Sequence, residues 1–215
     1  NIRTTTLDGV GQKAEGSLKI YILKQPEKVH RRKLSNHRHV RHGGKMQEPV
    51  PDPSNPNSWE LGEVVAERGF TTDAEGNASY KFELKAGAYR ATLETQDRFG
   101  KKVTAMLPLQ VLDPDANKFN IKIPSLVAAP KWVLEPGEEF PAIWGSGYDK
   151  ARAFIEIEHR RKTVKSFWTK AGETQVSVTQ AIGEAMRGGF TFRVTMVREN
   201  RAYLDQRQVD VPWTN

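Results

Sequence analysis

Apolar and polar residues alternate with period two along much of this chain, most clearly within residues 71–112. Three segments carry the pattern there. They are Tyr80, Phe82 and Leu84; Tyr89, Ala91 and Leu93; and Val103, Ala105, Leu107, Leu109 and Val111. A strand turns successive side chains to opposite faces, so each set lies on one face. Asp73-Ala74-Glu75-Gly76-Asn77 precedes the first segment, Lys85-Ala86-Gly87 separates it from the second, and Asp97-Arg98-Phe99-Gly100-Lys101 precedes the third. Asp, Asn and Gly accept the local bonds and positive φ of tight turns. The stretch therefore predicts an antiparallel meander with one buried face and one wet face.

The same pattern recurs on either side. Residues 17–23 set Leu18, Ile20 and Ile22 against Lys19 and Tyr21, and residues 59–70 regain strand character through Leu61, Val64 and Val65. Between them, residues 25–58 hold a basic run and then Pro49, Pro51, Pro53 and Pro56, with no usable period. Such a stretch buries too little apolar surface to offset its ordering entropy, so it predicts a mobile insertion between two strands. Asp113-Pro114-Asp115-Ala116-Asn117 is polar and turn-rich and predicts a domain boundary. Beyond it, strands are predicted around Phe119, Ile121 and Ile123; over 140–144; through Ala151, Ala153, Ile155 and Ile157; at Val164, Ser166 and Trp168; at Val176 and Val178; through Phe190, Phe192, Val194 and Met196; and over 203–211. Residues 179–186 have room for one short helix. The expectation is an all-β protein of two consecutive antiparallel β-sandwich domains. The first spans 1–114, with the insertion at about 25–58, and the second spans 115–215.

Composition narrows the function. Apolar residues are 37% and charged residues 27%, no apolar run is long enough to cross a membrane, and residues 1–4 lack an apolar leader. The chain begins without Met, so it reads as a processed chain or a piece of something longer. Zero cysteines excludes disulfides, thiol catalysis and cysteine-ligated zinc. The net charge of +7 invites a nucleic-acid reading, but its location argues otherwise. Lys28, Arg31, Arg32, Lys33, Arg38, Arg41 and Lys45 supply all of the excess, with no acid among them. This basic arm predicts attraction to an anionic partner, whether nucleic acid, lipid or glycan, against the plainer reading of a solvated loop. It contains no aromatic residue for base stacking.

Candidate chemistry is sparse. His30, His37, His39 and His42 lie within the basic arm, where Arg and Lys repel a cation and no carboxylate supports a ligand. His159 ends a strand and reads as a turn residue. Glu135, Glu138 and Glu139 cluster at a turn, and Glu156 and Glu158 fall on the wet face of their strand rather than forming an acid–base pair. Trp132, Trp144 and Trp168 invite a sugar-stacking platform, although Trp is more often a core residue. Gly145-Ser146-Gly147 lacks the spacing of a nucleophile elbow and fits a strand-end turn. No catalytic, cofactor or metal-ligating residue is predicted.

Two motif runs carry a family resemblance. The first is Thr72-Asp73 with Gly76, then Lys85-Ala86-Gly87-Ala88-Tyr89, then Asp97-Arg98-Phe99-Gly100-Lys101. The second runs from Pro136-Gly137-Glu138 through Ile143-Trp144-Gly145-Ser146-Gly147-Tyr148 to Gly188-Gly189-Phe190. It continues in Arg198-Glu199-Asn200-Arg201-Ala202-Tyr203 and ends in Val211-Pro212-Trp213-Thr214-Asn215. Over about 60–215 the chain resembles the macroglobulin-like β-sandwich domains of large bacterial alpha-2-macroglobulin-family proteins. The resemblance implies immunoglobulin-like scaffold domains in an envelope, periplasmic or secreted protein, partnered by other domains of a parent chain and by target proteases. The family's thioester needs a Cys, which is absent here, so none of that chemistry carries over. The other reading is a free-standing extracellular module that binds a glycan or an anionic partner.

Overall fold

Strands joined by turns make up nearly all the regular structure of this computed structural model, which describes residues 1–32 and 51–213. Two 3-10 turns, Pro56–Ser58 and Glu184–Met186, are the helical elements among the described residues. The chain divides into two units. One is Asn1–Gln25 with Pro56–Asp113, and the other is Pro26–Asn55 with Pro114–Asn215.

The first unit contains β1 (Ile2–Arg3), β2 (Glu15–Leu23), β3 (Leu61–Thr71), β4 (Asn77–Ala78), β5 (Gly87–Gln96) and β6 (Lys102–Val111). Its main sheet has the order β3-β2-β5-β6, all antiparallel, and β1 pairs separately with β4. The β5–β6 ladder runs without a break from Gly87 opposite Val111 to Gln96 opposite Lys102. Ile20, Tyr89 and Ala91 form the buried centre, with Phe82 and Leu84 packed on it.

One predicted strand is absent. Tyr80, Phe82 and Leu84 alternate in burial with exposed Lys81, Glu83 and Lys85, as the sequence suggests, yet residues 79–85 join no ladder. The cause is competition for edges. β5 is paired on one side by β6 and on the other by β2, which comes from far upstream, so no edge of β5 is left. The extended segment lies over the sheet by its side chains alone. Thr72 ties the N-terminal stretch to the turn before this segment. Its buried hydroxyl accepts from the Ala14 N–H at 2.8 Å and lies 3.0 Å from the Thr4 hydroxyl. Gly76 completes that turn at φ +80, and a Cβ there would stand 2.0 Å from the Thr4 carbonyl oxygen.

The second unit is a two-layer sandwich. Its strands are β7 (Leu126–Ala128), β8 (Glu139–Gly145), β9 (Ala153–His159), β10 (Lys162–Trp168), β11 (Gln175–Ala181), β12 (Phe190–Arg198) and β13 (Arg201–Val209). One sheet has the order β10-β9-β12-β13 and the other β11-β8-β7. Ala153, Ile155 and Ile157 of β9 and Phe190, Phe192, Val194 and Met196 of β12 point inward and meet Phe140, Ala142 and Trp144 of β8. Phe140 presents its ring at 5.4 Å to Phe190 and 5.6 Å to Phe192, both near edge-to-face. That geometry aligns the positive ring edge with a negative face.

Two other expectations are corrected in this unit. Phe119, Ile121 and Ile123 are buried in alternation but lie in irregular chain. The room for a helix at 179–186 is taken by the end of β11 and the 3-10 turn Glu184–Met186, since pairing with β8 extends as far as Ala181 opposite Glu139.

The insertion differs from expectation where it is described. Residues 33–50, which hold most of the basic run, lie outside the described residues. The flanks 26–32 and 51–55 belong to the second unit rather than the first. Val29 packs on that unit's core, Arg31 donates to the Glu199 carbonyl at 3.2 Å, and Arg32 donates to the Ser125 carbonyl at 3.2 Å. Ser54 is buried and bonds the Asp52 carboxylate through both its N–H and its hydroxyl. Apolar periodicity does not register such a strap, because one valine and a few charge-assisted bonds to carbonyls hold it.

Replacing Phe140 with Ala is expected to destabilise the chain by about 3–5 kcal/mol, the usual cost of emptying a fully buried phenylalanine site. Urea unfolding followed by tryptophan fluorescence measures this. A loss below about 1 kcal/mol would mean that the sheets are not held together at this contact.

Candidate functional site

The residues singled out for chemistry mostly serve as turn and surface supports. The Ser146 hydroxyl is fully buried, donates to the Pro124 carbonyl at 2.7 Å and lies 3.3 Å from the Tyr148 N–H. It is the pivot of a turn. Gly145 is required beside it because a Cβ would sit 2.2 Å from the Phe119 ring. His159 places Nδ1 2.7 Å from the Gly189 carbonyl, which accepts, so Nδ1 carries the proton. Glu158 pairs with Arg193 at 2.7 Å on the outer face of the sheet. Glu138 accepts from Lys131 at 2.5 Å and from the Glu135 N–H at 2.8 Å. These bonds, that from Lys131 first, hold its carboxyl below the usual carboxylate range.

The three tryptophans do not form a platform. Trp144 is fully buried in the core, and Trp132 packs on that core 5.6 Å from the Phe140 ring. Trp168 stands apart on β10 with Phe154 and Arg152. Among the described residues no cluster of three His, Asp or Glu side chains is arranged to hold a metal. His37, His39 and His42 lie outside that set.

The most developed polar cluster closes one end of the second unit. The Tyr148 hydroxyl donates to Glu199 Oε2 at 3.2 Å and lies 3.3 Å from the Tyr203 hydroxyl, and Arg198 sits over the Tyr148 ring at 5.8 Å. Burial, followed by the Tyr203 contact, raises the Tyr148 phenol well above its ordinary range. The raised value favours the protonated phenol, which suits its role as donor to Glu199. Glu199 and Asn200 form its turn with φ of 50 and 56, a conformation that suits a two-residue hairpin.

The first unit holds the feature that sequence reading did not find. A groove of about 340 Å³ lies along its main sheet. Leu18, Leu93, Leu107 and Leu109 form its floor, and Tyr80, Phe82 and β1 border it. Arg3 also lines it and has no ion pair among the described residues. The groove exists because the cover over this sheet is thin, being the extended segment 79–85 and the short β1–β4 pair. Its sequence signal is on β6. Met106 occupies a position that the alternation assigns to the wet face, and the nine consecutive residues 103–111 there carry no charge.

No family model matches the chain, and no curated protein matches it. Among solved structures it is similar to the native conformation of E. coli alpha-2-macroglobulin, at 10% identity and a TM-score of 0.33. That match covers 97% of this chain and 12% of the other. It is also similar to fibronectin(III)-like modules of Clostridium thermocellum CbhA, at 13% identity and a TM-score of 0.26, covering 69% of this chain and 73% of the other. The chain thus spans about an eighth of the length of the first of these proteins.

The depressed carboxyl of Glu138 gives a pH test. Its contribution to stability is present above the ordinary carboxylate range and is lost as pH falls through its lowered value. A Glu138→Gln variant should be less stable than the parent at neutral pH, and the gap should close on acidification. Urea midpoints measured across that range decide it. A gap that stays constant with pH would show that the side chain acts through packing.

Proposed function

We propose that this chain supplies non-enzymatic β-sandwich scaffold domains to a larger alpha-2-macroglobulin-like protein of the cell envelope or extracellular space. One observation carries the reading: side chains able to do chemistry are committed to building turns. Ser146, Glu138 and His159 each hold a carbonyl, an N–H or a neighbouring side chain in place. The motif residues behind the family resemblance have the same use. Thr72 and Gly76 set one turn, Gly145 and Ser146 another, and Glu199 and Asn200 a third. Antiparallel β units make stiff spacers, because their strands are fixed by inward-facing side chains and their loops project at set positions.

In this reading the partners are other domains of the parent chain, and protease trapping belongs to parts of the parent beyond these residues. Among the described residues no helix is long and apolar enough to cross a membrane. The basic arm supplies attraction to acidic partners at low salt, weakened as the Debye length shortens.

Mixing the chain with a trypsin-like protease tests the proposal. Hydrolysis of a large protein substrate is followed beside that of a small peptide. A scaffold leaves both rates unchanged apart from simple competition. Lasting protection of the large substrate, with the small one still cut, would make the chain itself a trap and overturn the reading.

A further inference from the structure

Sheet edges carry unpaired N–H and C=O groups, and proteins guard them with charges, bulges, prolines or cover. Most long edges here are guarded. β3 carries Glu63, Glu67 and Arg68 and is bulged against β2 around Tyr21. β10 carries Lys162 and Lys165 with a register shift between Thr163 and Lys165. β13 carries Arg201, Asp205 and Arg207. β11 is covered by residues 114–117, where the Asn117 carbonyl accepts from Thr174 and Gln175 and the Pro114 carbonyl accepts from Ser177.

β6 is different. It is an edge of its sheet, ten residues long, with no bulge against β5. From Val103 to Leu107 it has no charge, and it leaves Met106 71% and Leu107 58% exposed. Pro108 shows which way its backbone faces. It lacks an N–H yet pairs with Arg90 in unbroken register, so its nitrogen side points away from β5. By the two-residue period, Met106 and Thr104 also turn their N–H and C=O outward. The same strand walls the apolar groove through Leu107 and Leu109, and Arg3 lines that groove with no ion pair among the described residues.

We propose that β6 is a recognition edge that takes an extended segment of another protein as an added strand. Backbone bonds to Thr104 and Met106 hold the segment, and every second side chain is apolar and lies over the groove beside Leu107. Pro108 limits the outward donors to the first half of β6. Charge complementarity fixes the rest of the partner's chemistry. Arg3, with no ion pair among the described residues, calls for an acidic residue flanking the apolar positions, and β6 itself carries no acid to offer it, which disfavours a second copy pairing through the same edge. The proposal does not depend on the scaffold reading, since a free-standing module would use the same edge.

The probe is a synthetic peptide of about eight residues, the length of an ordinary strand, alternating threonine and valine with a glutamate at each end. Fluorescence anisotropy measures its binding to the full chain, and amide hydrogen exchange locates it. Binding should slow exchange at Thr104 and Met106. Met106→Pro removes an outward N–H without touching the β5 ladder and should weaken binding about tenfold, the equivalent of one or two backbone hydrogen bonds. Met106→Glu, a charged guard at an exposed position that also repels the glutamates of the peptide, should weaken it similarly even if the proline variant folds poorly. Thermal midpoints confirm that each variant tested is folded. Arg3→Glu should weaken binding of this peptide and not of one whose glutamates are replaced by lysines. Absence of binding, or equal binding by parent and both Met106 variants, would overturn the proposal. So would sedimentation showing that the chain alone dimerises and that Met106→Glu returns it to monomer, since β6 would then serve a second copy.

Discussion

Phe140 reaches from the smaller sheet of the second unit to the larger one, and its ring wedges between Phe190 and Phe192. Aromatic contacts of this kind add roughly 0.5–1.5 kcal/mol beyond the apolar area they bury. They also fix the spacing between layers, which allows Ile155, Ile157, Val194 and Trp144 to fill the space on either side. The first unit has no comparable wedge. Its buried centre is Ile20, Tyr89 and Ala91, and its cover is extended chain. A sheet face without a thick second layer leaves space along itself, so the groove follows from where the large aromatics were placed.

Alternation in the sequence reported burial and pairing unevenly: β6 pairs along its whole length, yet Val103, Ala105 and Leu107, expected on its buried face, are exposed because the cover over that sheet is thin. β9 and β12 show both together: their inward residues are buried, and their register is continuous from Thr191 opposite Glu158 to Met196 opposite Ala153. Tyr80–Phe82–Leu84 and Phe119–Ile121–Ile123 show burial without a ladder. A period of two requires only that the chain be extended against an apolar surface. Whether it also gains a backbone partner depends on free edges, and edge occupancy is a long-range property. β2 meets β5 with Gly16 opposite Thr95, a pairing that no local window contains. The strap at 26–32 was illegible for the opposite reason, because its anchors are guanidinium bonds to carbonyls that any arginine can make.

The candidate chemistry was legible mainly in what it excluded. Turn geometry demands particular residue types, so Gly145, Ser146 and Asn200 give a motif its recognisable form without reacting with anything. Tyr148 and Glu199 entered the sequence reading only as motif residues, and the structure joins them by a hydrogen bond. Burial raises the phenol above its ordinary range, and the carboxylate accepts its hydrogen bond. The edge at β6 left a fainter trace, a run of uncharged residues that local reading absorbs into an ordinary strand.

The second unit is assembled from two separate stretches of chain, and this bears on how it can be inherited or excised. A boundary drawn at Asp113 looks clean by composition. A gene fusion or truncation that moved 114–215 alone would leave behind Val29, whose methyl group lies against the turn at Gly147, together with the guanidinium bonds of Arg31 and Arg32. Recombination that preserves this unit must carry both stretches. The connection between β2 and β3 is therefore part of the neighbouring unit's heritable parts list, and the two units are transmitted as a pair.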